Sequence, residues 1–470
     1  MKFNTKRTML VGFAFMTISA FWQLYNNEIP LMLQELIGKD KQLVINTVMT
    51  LDNLSALFLL PFFGMISDKT HTRIGKRMPY IICGTALSVI FMLILPFAYN
   101  YQKTVLFFVA IVGVLLSMSI YRSPAVALMP DVTPKPLRSK GNAVINLMGA
   151  IGIIVVQILT LFLKGERNYG KLFIIIAAFM LVSIIVMWIK IDENKLVEMM
   201  PPEEETEEER VNRINKGVKV HASVRKSLIF LFVSVFLWFM AYSAIETNYS
   251  RYASDVWLLD DGTYVLPMLF GSLVALVSFL PLGTVSQKFG RKHTIIVSLV
   301  ILFFAVFLTS FITKYSIFIY LLFGLIGITW AAINVNSYPM VVEMSKGADV
   351  GKYTGLYYTF SMAAQIATPL VTGLLFDLLP AGLRVLFPYS AFFLLLGLVT
   401  MIFVRHGDGM SEHDVEVMQE HILEAAAAEA SAEEKKDALL ETADIASSTF
   451  ADMTEKISEG TAEASDSASE

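Results

Sequence analysis

"GMISDKTHTRIGKRMPY" (residues 64–80) is a charged stretch set between two oily ones. Leu54–Phe63 precedes it and Ile81–Ala98 follows it, both free of charge. Between them stand Asp68, Lys69, Arg73, Lys76 and Arg77, with Gly64 ahead of the charges and Gly75 among them. So many charges cannot sit in hydrocarbon, so the stretch reads as a loop joining two membrane helices. Its excess of Lys and Arg places it on the cytoplasmic side.

The same alternation runs along the chain. Its 470 residues are 55% hydrophobic and 17% charged, with 34 Phe and 24 Met. Apolar stretches of about 18 residues or more are membrane-helix candidates. Twelve are expected, at 8–28, 44–66, 78–98, 104–128, 139–163, 171–190, 227–249, 264–286, 293–312, 316–342, 351–376 and 385–404. In hydrocarbon the backbone must satisfy its own hydrogen bonds, so the expected fold is an all-α membrane protein. The first segment lacks the small-residue cleavage signal of a secretory leader. A lone cysteine, Cys83, excludes an internal disulfide and a zinc site built on several cysteines. No phosphate-binding G-x-x-x-x-G-K-[ST] loop, H-E-x-x-H or G-x-S-x-G occurs, so neither an enzyme nor an ATP-driven pump is expected, and no cofactor or metal.

Charge orients the chain. The N-terminus, the loops after spans 2, 4, 8 and 10, and Arg405 hold sixteen Lys and Arg; the other short loops hold nine. Both termini are therefore expected in the cytoplasm, of a protein in the plasma membrane. Residues 405–470 hold 18 acidic and 4 basic residues, so the net charge of −4 combines a basic membrane body with an acidic tail. That distribution gives no nucleic-acid footprint. The expected organisation is a six-helix bundle over 1–190, a cytoplasmic linker over 191–226, a second bundle over 227–404, and a partly disordered tail over 405–470.

The halves echo each other. "GMISDKTHTRIGKR" returns, shortened, as "GTVSQKFGRK" (283–292), with Gln287 in place of Asp68. Asp131, Lys140, Asn142 and Asn146 match Glu343, Lys352, Thr354 and Tyr358, 212 residues on. Two parallel six-helix repeats are the plan of many secondary transporters. On these motifs the chain resembles the major facilitator superfamily. Within it, "FFGMISDKTHTRIGKRMPYI" and "YRSPAVALMPDVTPKPLRSKGNAVINLMG" are similar to the glycoside–pentoside–hexuronide carriers and sucrose-transporter-like proteins. The resemblance spans residues 8–404. It implies twelve helices in two six-helix pseudo-repeats, and a latch of Gly64, Asp68, Arg73, Lys76 and Arg77 that closes the cytoplasmic side, with Asp68 meeting the N-terminus of span 11 near Gly351. One departure matters. The family's cation-binding carboxylates on spans 2 and 4 align with Ala56, Leu60 and Arg122, so a sodium site of that kind is not expected here.

Polar groups within the spans are few and are functional candidates by default. Arg122, Asn26, Trp330, Asn334, Tyr338 and Asn146 are the candidate substrate ligands. Trp330, Asn334 and Tyr338 are spaced four apart and share a helix face, and aromatic rings beside amides suit a sugar's C–H face and hydroxyls. Glu246, Asp52 and Glu28 are the candidate proton-coupling carboxylates. The expected function is proton-coupled uptake of a sugar or glycoside by a monomeric carrier in a lipid bilayer. An anionic substrate bound at Arg122 (a hexuronide or organic acid), an uncoupled facilitator, and a non-transporting sensor are the alternatives.

Overall fold

The computed structural model describes residues 4–134, 137–163, 169–199, 220–259, 262–345 and 349–407. Most of the 191–226 connection, the acidic tail beyond Gly407 and the Gln287 side chain lie outside the described residues. Among the described residues twelve long helices succeed one another. They are α1 (Thr5–Ile37), α2 (Gln42–Lys69), α3 (Met78–Asn100), α4 (Thr104–Asp131), α5 (Arg138–Phe162) and α6 (Tyr169–Lys190), then α7 (Ala222–Asp255), α8 (Val265–Phe289), α9 (Arg291–Thr309), α10 (Phe318–Met344), α11 (Val350–Leu378) and α12 (Leu386–Ile402). A short helix, Glu193–Glu198, follows α6. Eleven of the long helices are long and apolar enough to cross a membrane, and α8 adds the apolar stretch Val265–Phe279.

Buried apolar side chains form two clusters. One is drawn from α1–α6 with Val132 and Ile191. The other comes from α7–α12 and their connections, joined by Leu31 of α1. The pseudo-repeat is visible at the end bearing Asn4 and Gly407. Lys76 Nζ meets Asp131 Oδ2 at 3.1 Å, and Arg291 Nη1 meets Glu343 Oε2 at 3.1 Å. Gly75 and Gly290, just before the two bases, have φ of 113° and 82°, a region where only glycine is at ease.

Two helices run well past the apolar windows of the sequence: α1 ends at Ile37 rather than Glu28, and α7 at Asp255 rather than Tyr249. Their extra turns carry Gln34 and Arg251, which bond across to the opposite half. Polar side chains ended the hydropathy signal, and tertiary contact extended the helix.

The loop 64–80 is anchored from an unexpected direction. The α3 cap position, Arg77, makes no side-chain capping bond. Instead the carboxylate of Glu193, 1% exposed, accepts from the backbone N–H groups of Lys76 (2.9 Å), Arg77 (3.0 Å) and Met78 (2.9 Å). A carboxylate there satisfies orphan donors and complements the helix dipole.

Candidate functional site

Most of the hydrogen bonds that join described residues of the first six helices to described residues of the last six lie at the end away from Asn4 and Gly407; Gln157 Nε2 to Ser272 Oγ, at 3.4 Å, joins two residues that line a central cavity. Arg251 of α7 is fully buried. Its guanidinium donates to Gln42 Oε1 (2.5 Å), to Asn46 Oδ1 of α2 and to Asn248 Oδ1. Asp377 of α11 accepts from the backbone N–H groups of Gln42 (2.9 Å) and Leu43 (2.8 Å). The α2 N-terminus is thus capped from the other half, its own Lys41 making no side-chain cap. Asn46 Nδ2 donates to Thr372 Oγ1 (3.0 Å), and Asp255 takes Gln34 Nε2 and Lys39 Nζ at 2.5 Å each. Two glycines permit the approach. A Cβ on Gly373 would fall 2.9 Å from Leu43 Cα, and one on Gly262 would fall 2.4 Å from the Thr160 carbonyl oxygen.

Beyond this seal, at mid-length of the helices, lie two adjoining cavities of about 400 and 230 Å³ that share Gln23, Ile153 and Glu246. The larger is lined by both halves. Tyr242 and Trp330 stack there, ring centroids 3.6 Å apart and planes within 4°. Amides of Gln157, Asn334 and Gln365 also face it. Asn334 Nδ2 donates to the Trp330 carbonyl at 2.9 Å, which fixes that amide's direction. The smaller cavity holds Trp22, Asn26 and Arg122. The Arg122 guanidinium carbon stands 5.7 Å from the Trp22 ring centroid, a cation–π contact.

Arg122 and Glu246 both face the 230 Å³ cavity, and neither has an ion-pair partner among the described residues. Asp52 is within electrostatic range of both, its carboxylate otherwise accepting from Asn53 Nδ2 at 2.9 Å. Uncompensated charges at this depth are costly unless water or a ligand serves them.

The sequence-derived residues therefore divide. Arg122, Asn26, Trp330, Asn334 and Glu246 line the two cavities, and Asp52 reaches them electrostatically. Glu28 is elsewhere: it is 2% exposed and accepts from Tyr264 Oη at 2.6 Å, tying α1 to α8's leading residue. Tyr338 lines neither cavity and packs with Tyr357 and Tyr358, centroids 5.8 and 6.0 Å away. Asn146 is exposed on α5, also outside both. Of the loop cluster, Asp68 pairs with Arg77, whose Nε also meets Asp131 Oδ2 at 2.8 Å. The Gly64 carbonyl takes Arg77 Nη1 at 3.4 Å, and the Arg73 carbonyl takes Asn194 Nδ2 at 3.1 Å. Asp68 thus bonds within its own half; the α11 N-terminus is capped by Asp349, which accepts from Lys352 N at 3.0 Å. Sequence reading missed Gln23, Gln157 and Gln365, whose signal was only an amide in an apolar span. It also missed the Arg251 seal, because Arg251 fell in an expected loop.

Two helical sets meeting around a central cavity that carries a few polar side chains, sealed at one end, define a membrane transporter fold. The chain belongs to the Major Facilitator Superfamily, whose profile matches residues 9–279 and 258–430. It is 21% identical over 277 residues to an isoprimeverose transporter of Lactiplantibacillus pentosus, a match over 55% of this chain and 54% of that one. The chain thus spans about half the length of that curated relative. Among solved structures it resembles the xylose transporter XylE from E. coli in its inward open conformation (TM-score 0.62, 13% identity, 88% of this chain and 100% of that one). It also resembles the POT family transporter PepTSo (TM-score 0.64, 12% identity, 86% and 98%). A third likeness is to a bacterial homologue of the iron transporter ferroportin in its inward-facing state (TM-score 0.62, 16% identity, 84% and 97%). These relatives are membrane transporters, not enzymes.

Proposed function

We propose that the protein is a secondary active transporter that takes up a sugar or glycoside together with a proton, by alternating access about the two central cavities. The observation that carries the reading is the stacked Tyr242–Trp330 pair beside convergent amides, with the unpaired Glu246 a short way off in the same space. Stacked rings offer a flat apolar face to a pyranose, amides supply paired donors and acceptors to its hydroxyls, and a free carboxylate can carry the coupled proton. The 21% identity to an isoprimeverose transporter supports the substrate class. With both termini in the cytoplasm of a plasma-membrane protein, the Arg251 seal is external and the arrangement is inward-facing. In that state Asp68 is free of α11, and the 64–80 loop would engage α11 only when the inner side closes. The carrier acts as a monomer with one bundle over 1–190 and the other over 227–404.

The test is uptake of a panel of labelled mono- and disaccharides by cells making the protein, with and without a protonophore. Accumulation of at least one sugar that collapses with the protonophore is expected. No accumulation of any sugar overturns the substrate class, and sodium-dependent accumulation indifferent to the protonophore overturns the coupling. A second reading is favoured by the unpaired Arg122, which presents a guanidinium to a substrate carboxylate. Competition by uronides but not neutral sugars would select it.

A further inference from the structure

A pocket of about 510 Å³ lies apart from the central cavities, at the end of the molecule bearing both described termini. It is bounded by the first turns of α1, the end of α6 and the short helix Glu193–Glu198. Lys6, Arg7, Lys190 and Lys195 converge there with one carboxylate, Asp192. Asp192 is already engaged as the cap of the short helix, accepting from Lys195 N at 3.1 Å. Lys6, Lys190 and Lys195 are exposed and form no ion pair with a described residue, and the Arg7 guanidinium touches only the Val132 carbonyl, at 3.4 Å, among the described residues. Like charges gathered this way repel unless an anion joins them, and phosphate is the anion whose oxygens suit several such donors at once.

The surroundings indicate where that phosphate comes from. Leu10, Ile191 and Leu196 give the pocket apolar walls. Just before Lys190 in sequence stand Trp188 (46% exposed) and Ile189 (67%), and two residues after Arg7 stands Met9 (41%). Exposed Trp next to Lys at a helix end marks headgroup level, with apolar side chains facing acyl chains. A free ion would need no such shelf. We propose that this pocket binds the headgroup phosphate of an anionic phospholipid, the acyl chains lying along α1 and α6. The short helix then bridges two partners: Lys195 faces the lipid, while Glu193 and Asn194 hold residues 72–78. The proposal rests on the protein's being a membrane protein and not on what it transports.

The test uses the purified full-length protein in neutral detergent, with native mass spectrometry counting bound phosphatidylglycerol or phosphatidylcholine. Wild type retains phosphatidylglycerol in preference to phosphatidylcholine. The triple variant Lys6→Gln/Lys190→Gln/Lys195→Gln loses it, by about fivefold for each lysine removed. The corresponding triple Arg variant keeps binding, which separates loss of charge from damage to the fold. The proposal is overturned if the Gln variant binds like wild type, if phosphatidylcholine binds equally, if the Arg variant also loses the lipid, or if millimolar inorganic phosphate displaces it completely.

Discussion

Arg251 Nη1, near the end of α7, donates to Gln42 Oε1 at the start of α2 at 2.5 Å, across 209 residues of sequence. No carboxylate hydrogen-bonds this buried guanidinium among the described residues; its partners are amides. The Asp255 and Asp377 carboxylates act on it electrostatically without bonding it. Under the proposed alternating access, this network is the contact that must break for the end to open.

Arg251→Leu is expected to open this end. Hydrogen bonds to a charged group contribute about 1.5–3 kcal/mol each, so removing the two that cross to α2 moves a two-state balance strongly. Spin labels at positions 40 and 380, in a Cys83→Ser background, should report a longer and broader distance than in the parent. An unchanged distribution would show that the seal does not depend on Arg251.

Gly373→Val attacks the same end by volume. Its new side chain would begin 2.9 Å from Leu43 Cα and Asn46 Cβ, both on the opposing helix. The label distance should lengthen here too, with little change in the melting temperature of the purified protein. A large fall in melting temperature with no change in distance would assign the glycine to folding alone.

Glu246→Gln keeps the shape of the cavity wall and removes its titratable carboxyl group. Uphill accumulation should vanish, while exchange of labelled for unlabelled substrate across proteoliposomes continues. Retained protonophore-sensitive accumulation would move the coupling role to Asp52.

Arg122→Gln separates the two substrate readings. If the cargo is a neutral sugar, KM changes a few-fold, because the Trp22 contact and the electrostatic coupling to Asp52 are disturbed but no substrate charge loses its partner. If it is a uronide, affinity falls by roughly 10- to 100-fold, the value of one charge-assisted contact. Paired uptake assays with a glycoside and its uronide decide.

Gly75→Ala should be poorly tolerated. The residue has φ of 113°, and an added Cβ would lie 2.1 Å from Glu193 Oε2. Glu193→Gln, which keeps the volume, should cost about 1 kcal/mol, typical of a lost helix cap. Thermal unfolding in detergent measures both, and an Ala variant as stable as the parent would argue against the observed turn.

The sequence by itself determined the solvent and therefore the class. Long apolar runs such as Ile81–Ala98 admit only helices in hydrocarbon, and the charges of 64–80 mark where the chain leaves it. The paired glycines and bases of the two loops made the repeat legible, and isolated polar groups such as Arg122 and Glu246 stood out against an apolar background. What only the tertiary structure decided is which polar groups meet. The cap of α2 is Asp377, and the cap of α3 is Glu193, each far along the chain from the N–H groups it satisfies. Glu28 and Glu246 hold matching places in α1 and α7, yet one is bonded to Tyr264 and the other faces open space. Hydropathy is a local average over neighbours in sequence, whereas hydrogen bonds and cavities belong to neighbours in space.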